Sequence, residues 1–130
     1  MRCLLDTCAV IFIVENTGDL SPTAETQLKE PDAEVFVSAA SIGEVACAQE
    51  RGRLKLKQHW RVWWNEALRR NGWPCLPITA AIMEEAYSLP APIHRDPVDR
   101  ILIATARVEN LILVTTDGKI LSYPHVQTLR

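Results

Sequence analysis

The stretch RCLLDTCAVIFIV, residues 2–14, decides how the rest of the chain is read. Residues 2–5 form a short apolar run of strand length. After the lone carboxylate of Asp6, residues 7–14 continue as a buried helix. Short apolar runs then keep alternating with longer helical patterns. Ser21-Pro22 opens a helix over 21–29, because serine caps well and proline suits the first helical position. Residues 34–37 are β-branched and aromatic, hence a strand, and a small-residue helix follows from 41 to about 50. A helix over 58–70 stops at Gly72; a brief strand at 75–78 and a helix over 79–88 lead to a proline-rich turn at 89–92. The apolar helix 97–109, a strand at 111–115 and an edge strand at 126–129 complete the chain. Strands separated by helices predict an α/β fold, a three-layer α/β/α domain around a central, mostly parallel sheet, with one domain over residues 1–130.

Composition narrows the class without naming it. With 130 residues, 48% hydrophobic and 23% charged, the chain matches an ordinary globular domain. A net charge of −2 means that any nucleic-acid contact must use a local patch. Cys3, Cys8, Cys47 and Cys75 show no C-x-x-C pairing and read as buried thiols of a cytoplasmic protein. The apolar start is interrupted by Asp6 and is too short to span a bilayer, so neither export nor a membrane is expected.

In open parallel sheets, ligands bind at the carboxyl ends of the strands. Asp6 and Asp117 each follow a strand there; Glu44 and Asp99 are read in the first turns of helices that return to the same edge. Each has a local explanation. Asp6 suits an N-cap, Ser41 and Glu44 make an S-x-x-E capping box, Asp96-Pro97 starts a helix, and Asp117-Gly118 is a turn dipeptide. Burial favours a further role. The helix after Asp99 is apolar nearly all round, and carboxylates crowded in a dry setting repel one another unless a cation or proton joins them. Mg²⁺ or Mn²⁺, with their preference for oxygen ligands, match such a cluster.

The segments LLDTCAVI, SAASIGEVA, HRDPVDRILIATA and VTTDGKI resemble, in order and spacing, the PIN domain family, in particular VapC-type toxins of bacterial toxin–antitoxin systems. The resemblance covers essentially the whole chain. It implies a divalent-metal-dependent ribonuclease with Asp6, Glu44, Asp99 and Asp117 as its acidic quartet. Asp6 and Asp99 would be the principal ligands of Mg²⁺ or Mn²⁺; Glu44 and Asp117 would hold a second ion or orient water, and Asp96 would be a further ligand or a cap. The implied reaction is in-line attack of activated water on a phosphodiester, leaving a 5′-phosphate and a 3′-hydroxyl. The resemblance also implies a cognate antitoxin, whose tail enters the acidic groove with a basic side chain, and a second copy of the chain in a homodimer.

Substrate contacts require positive charge or hydroxyls near the acids. Arg95 and Arg100 flank the acidic block; Thr115 or Thr116 suits a phosphate or a water. Arg51, Arg53, Lys55 and Lys57 alternate through RGRLKLK and would share one side of an extended segment. If RNA uses that stripe, alanine at Arg51, Arg53 and Lys55 weakens binding and flattens its salt dependence. His59, His94 and His125 are scattered and are not assigned to catalysis. Trp60, Trp63 and Trp64 form one helical stripe, read first as core and second as a partner surface. Other classes remain open: a catalytically silent PIN-like RNA-binding module, a nuclease acting on DNA, or a phosphotransfer receiver. The receiver is disfavoured because the middle strand, CLPITAA, supplies no acid.

Overall fold

The computed structural model describes residues 1–92 and 95–130. Five strands form one sheet in the order β3-β2-β1-β4-β5. They are β1 (Arg2–Leu5), β2 (Glu34–Ser38), β3 (Cys75–Leu76), β4 (Ile112–Val114) and β5 (Thr128–Leu129). Every neighbouring pair is parallel, with Cys3 opposite Val35 on one side and Ile112 on the other. The helices between them are α1 (Thr7–Val14), α2 (Pro22–Leu28), α3 (Ala39–Glu50), α4 (Trp60–Asn71), α5 (Ala80–Ala86), α6 (Pro97–Val108) and α7 (Gly118–Leu121).

Strand side chains alternate between faces, and this divides the core in two. Cys3, Leu5, Val37 and Val114 pack with Val10, Val45, Trp63 and Trp64 from α1, α3 and α4. Leu4 and Leu113 point the other way and pack with Leu102, Ile103 and Ala106 of α6 and Ile120 of α7. Helix α5 lies against α6 through Ile82, Ala86 and Ala104. The result is the three-layer arrangement expected from sequence. Helix α6 buries five consecutive residues, 102–106, more than a full turn, while its first turn is partly exposed and Arg107 and Val108 are exposed, so it is enclosed at its middle and not along its whole length as expected. The tryptophan stripe is core: Trp63 and Trp64 are buried, Trp60 packs against the same cluster, and the Trp63 indole donates to Glu15 Oε2 at 3.3 Å.

Several expectations are corrected. Helix α3 begins at Ala39 and is capped by Ser38, whose hydroxyl accepts from the Ala40 N–H at 3.0 Å. The Ser41/Glu44 capping box therefore does not form, and Glu44 stands in the second turn. Pro77 follows the end of β3, which is shorter than expected. The Asp117-Gly118 turn opens a short helix, α7, absent from the sequence reading. All four cysteines are free, but only Cys3 is buried; Cys8, Cys47 and Cys75 are exposed. Among the described residues, no helix is long and apolar enough to cross a membrane.

Candidate metal centre

The strand order places β2 on one side of β1 and β4 on the other, so the chain changes direction between β1 and β4. In open parallel sheets such a switch point is where the helices that follow the two strands diverge and leave a crevice at the carboxyl edge. Asp6 enters it straight from β1. Its N–H donates to the Val114 carbonyl at 3.0 Å, extending the β1–β4 pairing to the rim. Its carboxylate caps α1, accepting from the Ala9 N–H at 2.7 Å, and is only 6% exposed. Burial raises its pKa; hydrogen bonds from the Thr115 hydroxyl and the Ala9 N–H oppose that, and Asp117 reinforces it.

Thr115 is fully buried. Besides bonding Asp6, its hydroxyl accepts from the Asp117 N–H at 3.0 Å. This corrects its assignment to substrate: both functions of the hydroxyl are used in fixing two acids, and none of it reaches solvent. Thr116, next along, is partly exposed. Asp117 caps α7, accepting from the Lys119 N–H at 2.8 Å.

Glu44 arrives from the opposite side on α3. The Thr7 hydroxyl makes a short hydrogen bond with Glu44 Oε1 and stands 2.8 Å from Ser41 Oγ. Burial raises the Glu44 pKa, Thr7 lowers it, and the charges of Asp96 and Asp6 raise it further. Asp96 caps α6, accepting from the N–H groups of Val98 at 2.9 Å and Asp99 at 3.1 Å. Asp99, the third residue of α6, has its pKa pushed up to about 7, first by burial and then by the charges of Asp96, Asp117, Glu44 and Asp6. The four predicted acids and Asp96 thus share one electrostatic environment.

Cys8 belongs to that environment as well. Cys8 is exposed as a residue, but its thiol is partly desolvated; that, and then the charges of Asp6, Glu44, Asp117 and Asp99, push it up to about 11. The sequence reading missed this neighbour; its position two residues past Asp6, in the same helical turn, was the available signal. Lys119, exposed beside Asp117, was also missed as a basic group at this edge.

The other predicted contacts are dispersed. Arg95 is exposed, and the Arg100 guanidinium lies 5.1 Å from the Tyr87 ring centroid. Arg51, Arg53, Lys55 and Lys57 do alternate outward from Leu54 and Leu56, which pack into the core. The stripe nevertheless starts where α3 ends, seven residues past Glu44, or about 10 Å along a helix running away from the acids. His59 caps α4 by accepting from the Arg61 N–H, and His125 packs on Tyr123. His94 lies outside the described residues.

The donor set fits a hard cation: carboxylate oxygens, partly desolvated and mutually repelling. Among the described residues, no group of three or more His, Cys, Asp or Glu side chains stands close enough together to hold a metal ion. Any ion here would be held through one or two carboxylates and complete its shell with waters, as Mg²⁺ does.

A parallel sheet with an acid-lined switch point is the arrangement of a PIN domain. Residues 3–126 match the PIN domain family, and the chain belongs to it. It is 30% identical over 125 residues to Ribonuclease VapC22 of Mycobacterium tuberculosis, an alignment covering 94% of this chain and 92% of that protein. Its fold is similar to that of VapBC2 from Rickettsia felis, solved bound to a DNA fragment from their promoter, with a TM-score of 0.75, 16% identity, and 99% and 98% of the two chains covered. A toxin–antitoxin complex from Klebsiella pneumoniae gives a TM-score of 0.66 at 18% identity, covering 98% and 96%.

Proposed function

We propose that this chain is a cytoplasmic endoribonuclease dependent on Mg²⁺ or Mn²⁺, the toxin of a toxin–antitoxin pair. One observation carries the reading: acids from four separate stretches of sequence meet at the β1–β4 switch point, where their combined charge and burial push Asp99 up to about 7. The relative named a ribonuclease and the neighbour named a toxin–antitoxin complex support the same reading.

Asp6 and Asp99 would hold the ion. Asp6 is fixed for this by Thr115 and the Ala9 N–H, so its carboxylate needs little reordering. Glu44 and Asp117 would hold a second ion or orient the attacking water, with Asp96 adding to the negative field. When bound, the ion supplies positive charge to the phosphoryl oxygens and makes water a better nucleophile. Cleavage leaves a 5′-phosphate and a 3′-hydroxyl. Arg95, Lys119 and Thr116 meet the RNA backbone at the rim. The acidic crevice also suits a basic side chain of the antitoxin, which would compete with metal and RNA; the active assembly is a homodimer.

The test is cleavage of a cellular RNA pool by purified protein with Mg²⁺ or Mn²⁺, with EDTA, and with folded Asp6→Asn and Asp99→Asn variants. Cutting that requires the cation and falls at least 100-fold in both variants is expected. Cutting that persists in EDTA or in either variant overturns the reading.

A further inference from the structure

Thr7 and Ser41 come from different helices and meet beside Glu44. Ser41 is 0% exposed and Thr7 8% exposed, so neither hydroxyl can satisfy itself with water. Their bonding is ordered by the acid. Thr7 Oγ1 faces both Ser41 Oγ and Glu44 Oε1 but has a single proton; when Glu44 is ionised that proton goes to the carboxylate, which only accepts, and Ser41 then donates to Thr7 Oγ1. The chain of donation therefore runs from α3 to α1 and back to α3. Thr7 directly follows Asp6, the cap of its helix, so the same turn that fixes the first acid also holds the second.

Glu44 has no such support from its own helix. It stands in the second turn of α3, too far in to interact with the free N–H groups at the helix start, and the rotamers of a long carboxylate side chain are costly to freeze. A buried hydroxyl aimed at one of its oxygens selects one orientation.

We propose that Thr7 and Ser41 are positioning residues that hold the Glu44 carboxylate toward the cation-binding crevice. The inference rests on the metal-dependent reading above and adds to it a hydroxyl pair that touches neither substrate nor ion. The bland alternative is a hydrogen bond that merely ties α1 to α3.

The two are separated by measuring Mn²⁺ affinity by electron paramagnetic resonance, and thermal stability, for wild type, Thr7→Ser, Thr7→Val, Glu44→Gln, Thr7→Val/Glu44→Gln and Thr7→Val/Ser41→Ala. Groups that orient a metal ligand are worth about 10- to 100-fold in affinity. Thr7→Ser should bind Mn²⁺ within about twofold of wild type and Thr7→Val about tenfold more weakly. In the Glu44→Gln background, Thr7→Val should change nothing further. Thr7→Val strands the buried Ser41 hydroxyl, and Thr7→Val/Ser41→Ala removes that penalty, so its stability should recover while its Mn²⁺ affinity stays low. Affinity that recovers together with stability, or a Thr7→Val protein that binds like wild type, overturns the proposal and leaves the metal reading standing. Wild-type protein that binds no Mn²⁺ overturns both.

Discussion

Asp99 carries the strongest mark of the crevice. A carboxyl raised from 3.8 to about 7 keeps its proton in the folded protein over a pH range where the unfolded chain has released it. Between those values the native state binds more protons, so stability falls as pH rises from about 4 to about 7 and then levels. Burial and like charge push Asp6 and Glu44 in the same direction. The metal-free protein is therefore expected to melt at a lower temperature at pH 7.5 than at pH 5. Asp99→Asn should flatten that dependence, and saturating Mn²⁺ should raise the melting temperature more at pH 7.5 than at pH 5. A metal-free melting curve independent of pH across this range would contradict the shared field of the acids. The sequence placed Asp99 and Asp6 correctly beside helix starts, because caps leave a clear local pattern. It left Thr115 open between a substrate contact and a strand residue, because no local pattern distinguishes a strand-end hydroxyl turned outward from one turned inward; the buried side chain decides it.

Among the elements, α3 shows how far local signals reach. The run SAAS offers two serines three apart, each a competent cap. The choice of Ser38 over Ser41 is made by β2, whose parallel pairing ends at Ser38 opposite Leu76 and leaves the next residue free to turn. Starting the helix there moves Glu44 into its second turn and brings Ser41 inside, against Thr7. Ser38→Ala is expected to cost about 1 kcal/mol of stability in urea unfolding and to speed hydrogen exchange at the Ala40 N–H. Exchange at Ala40 unchanged from wild type would mean that another group caps the helix. Helix α7 was missed for a related reason. Its four residues are too few for a periodic signal, and it forms because Ile120 has a core to enter and Asp117 is present to cap it.

At the scale of the whole molecule, the strand order sets the geography of charge. The switch between β1 and β4 collects the acids at the carboxyl edge, while α3 carries the basic stripe toward the opposite end. The chain's net charge of −2 thus hides a separation of acidic and basic regions. An RNA of only two or three nucleotides bound at the crevice stays short of the stripe. The triple change Arg51→Ala/Arg53→Ala/Lys55→Ala is therefore expected to leave the salt dependence of short-oligonucleotide binding unchanged, whereas Lys119→Ala, at the crevice, should lower the slope by about one phosphate contact. A flattened slope in the triple variant would return the stripe to the binding path.

The sequence by itself determined the alternation of strand and helix, the three-layer class and which acids stand beside helix starts, because each is written in periodicity, composition or a local cap. Only the tertiary structure decided that every strand is parallel, that β1 and β4 sit side by side, which serine starts α3, and where Thr7, Thr115 and Cys8 lie. Those outcomes depend on contacts between residues tens of positions apart. Thr7 and Glu44 are linked across 37 positions, and no window along the chain contains both the hydroxyl and the carboxylate it holds.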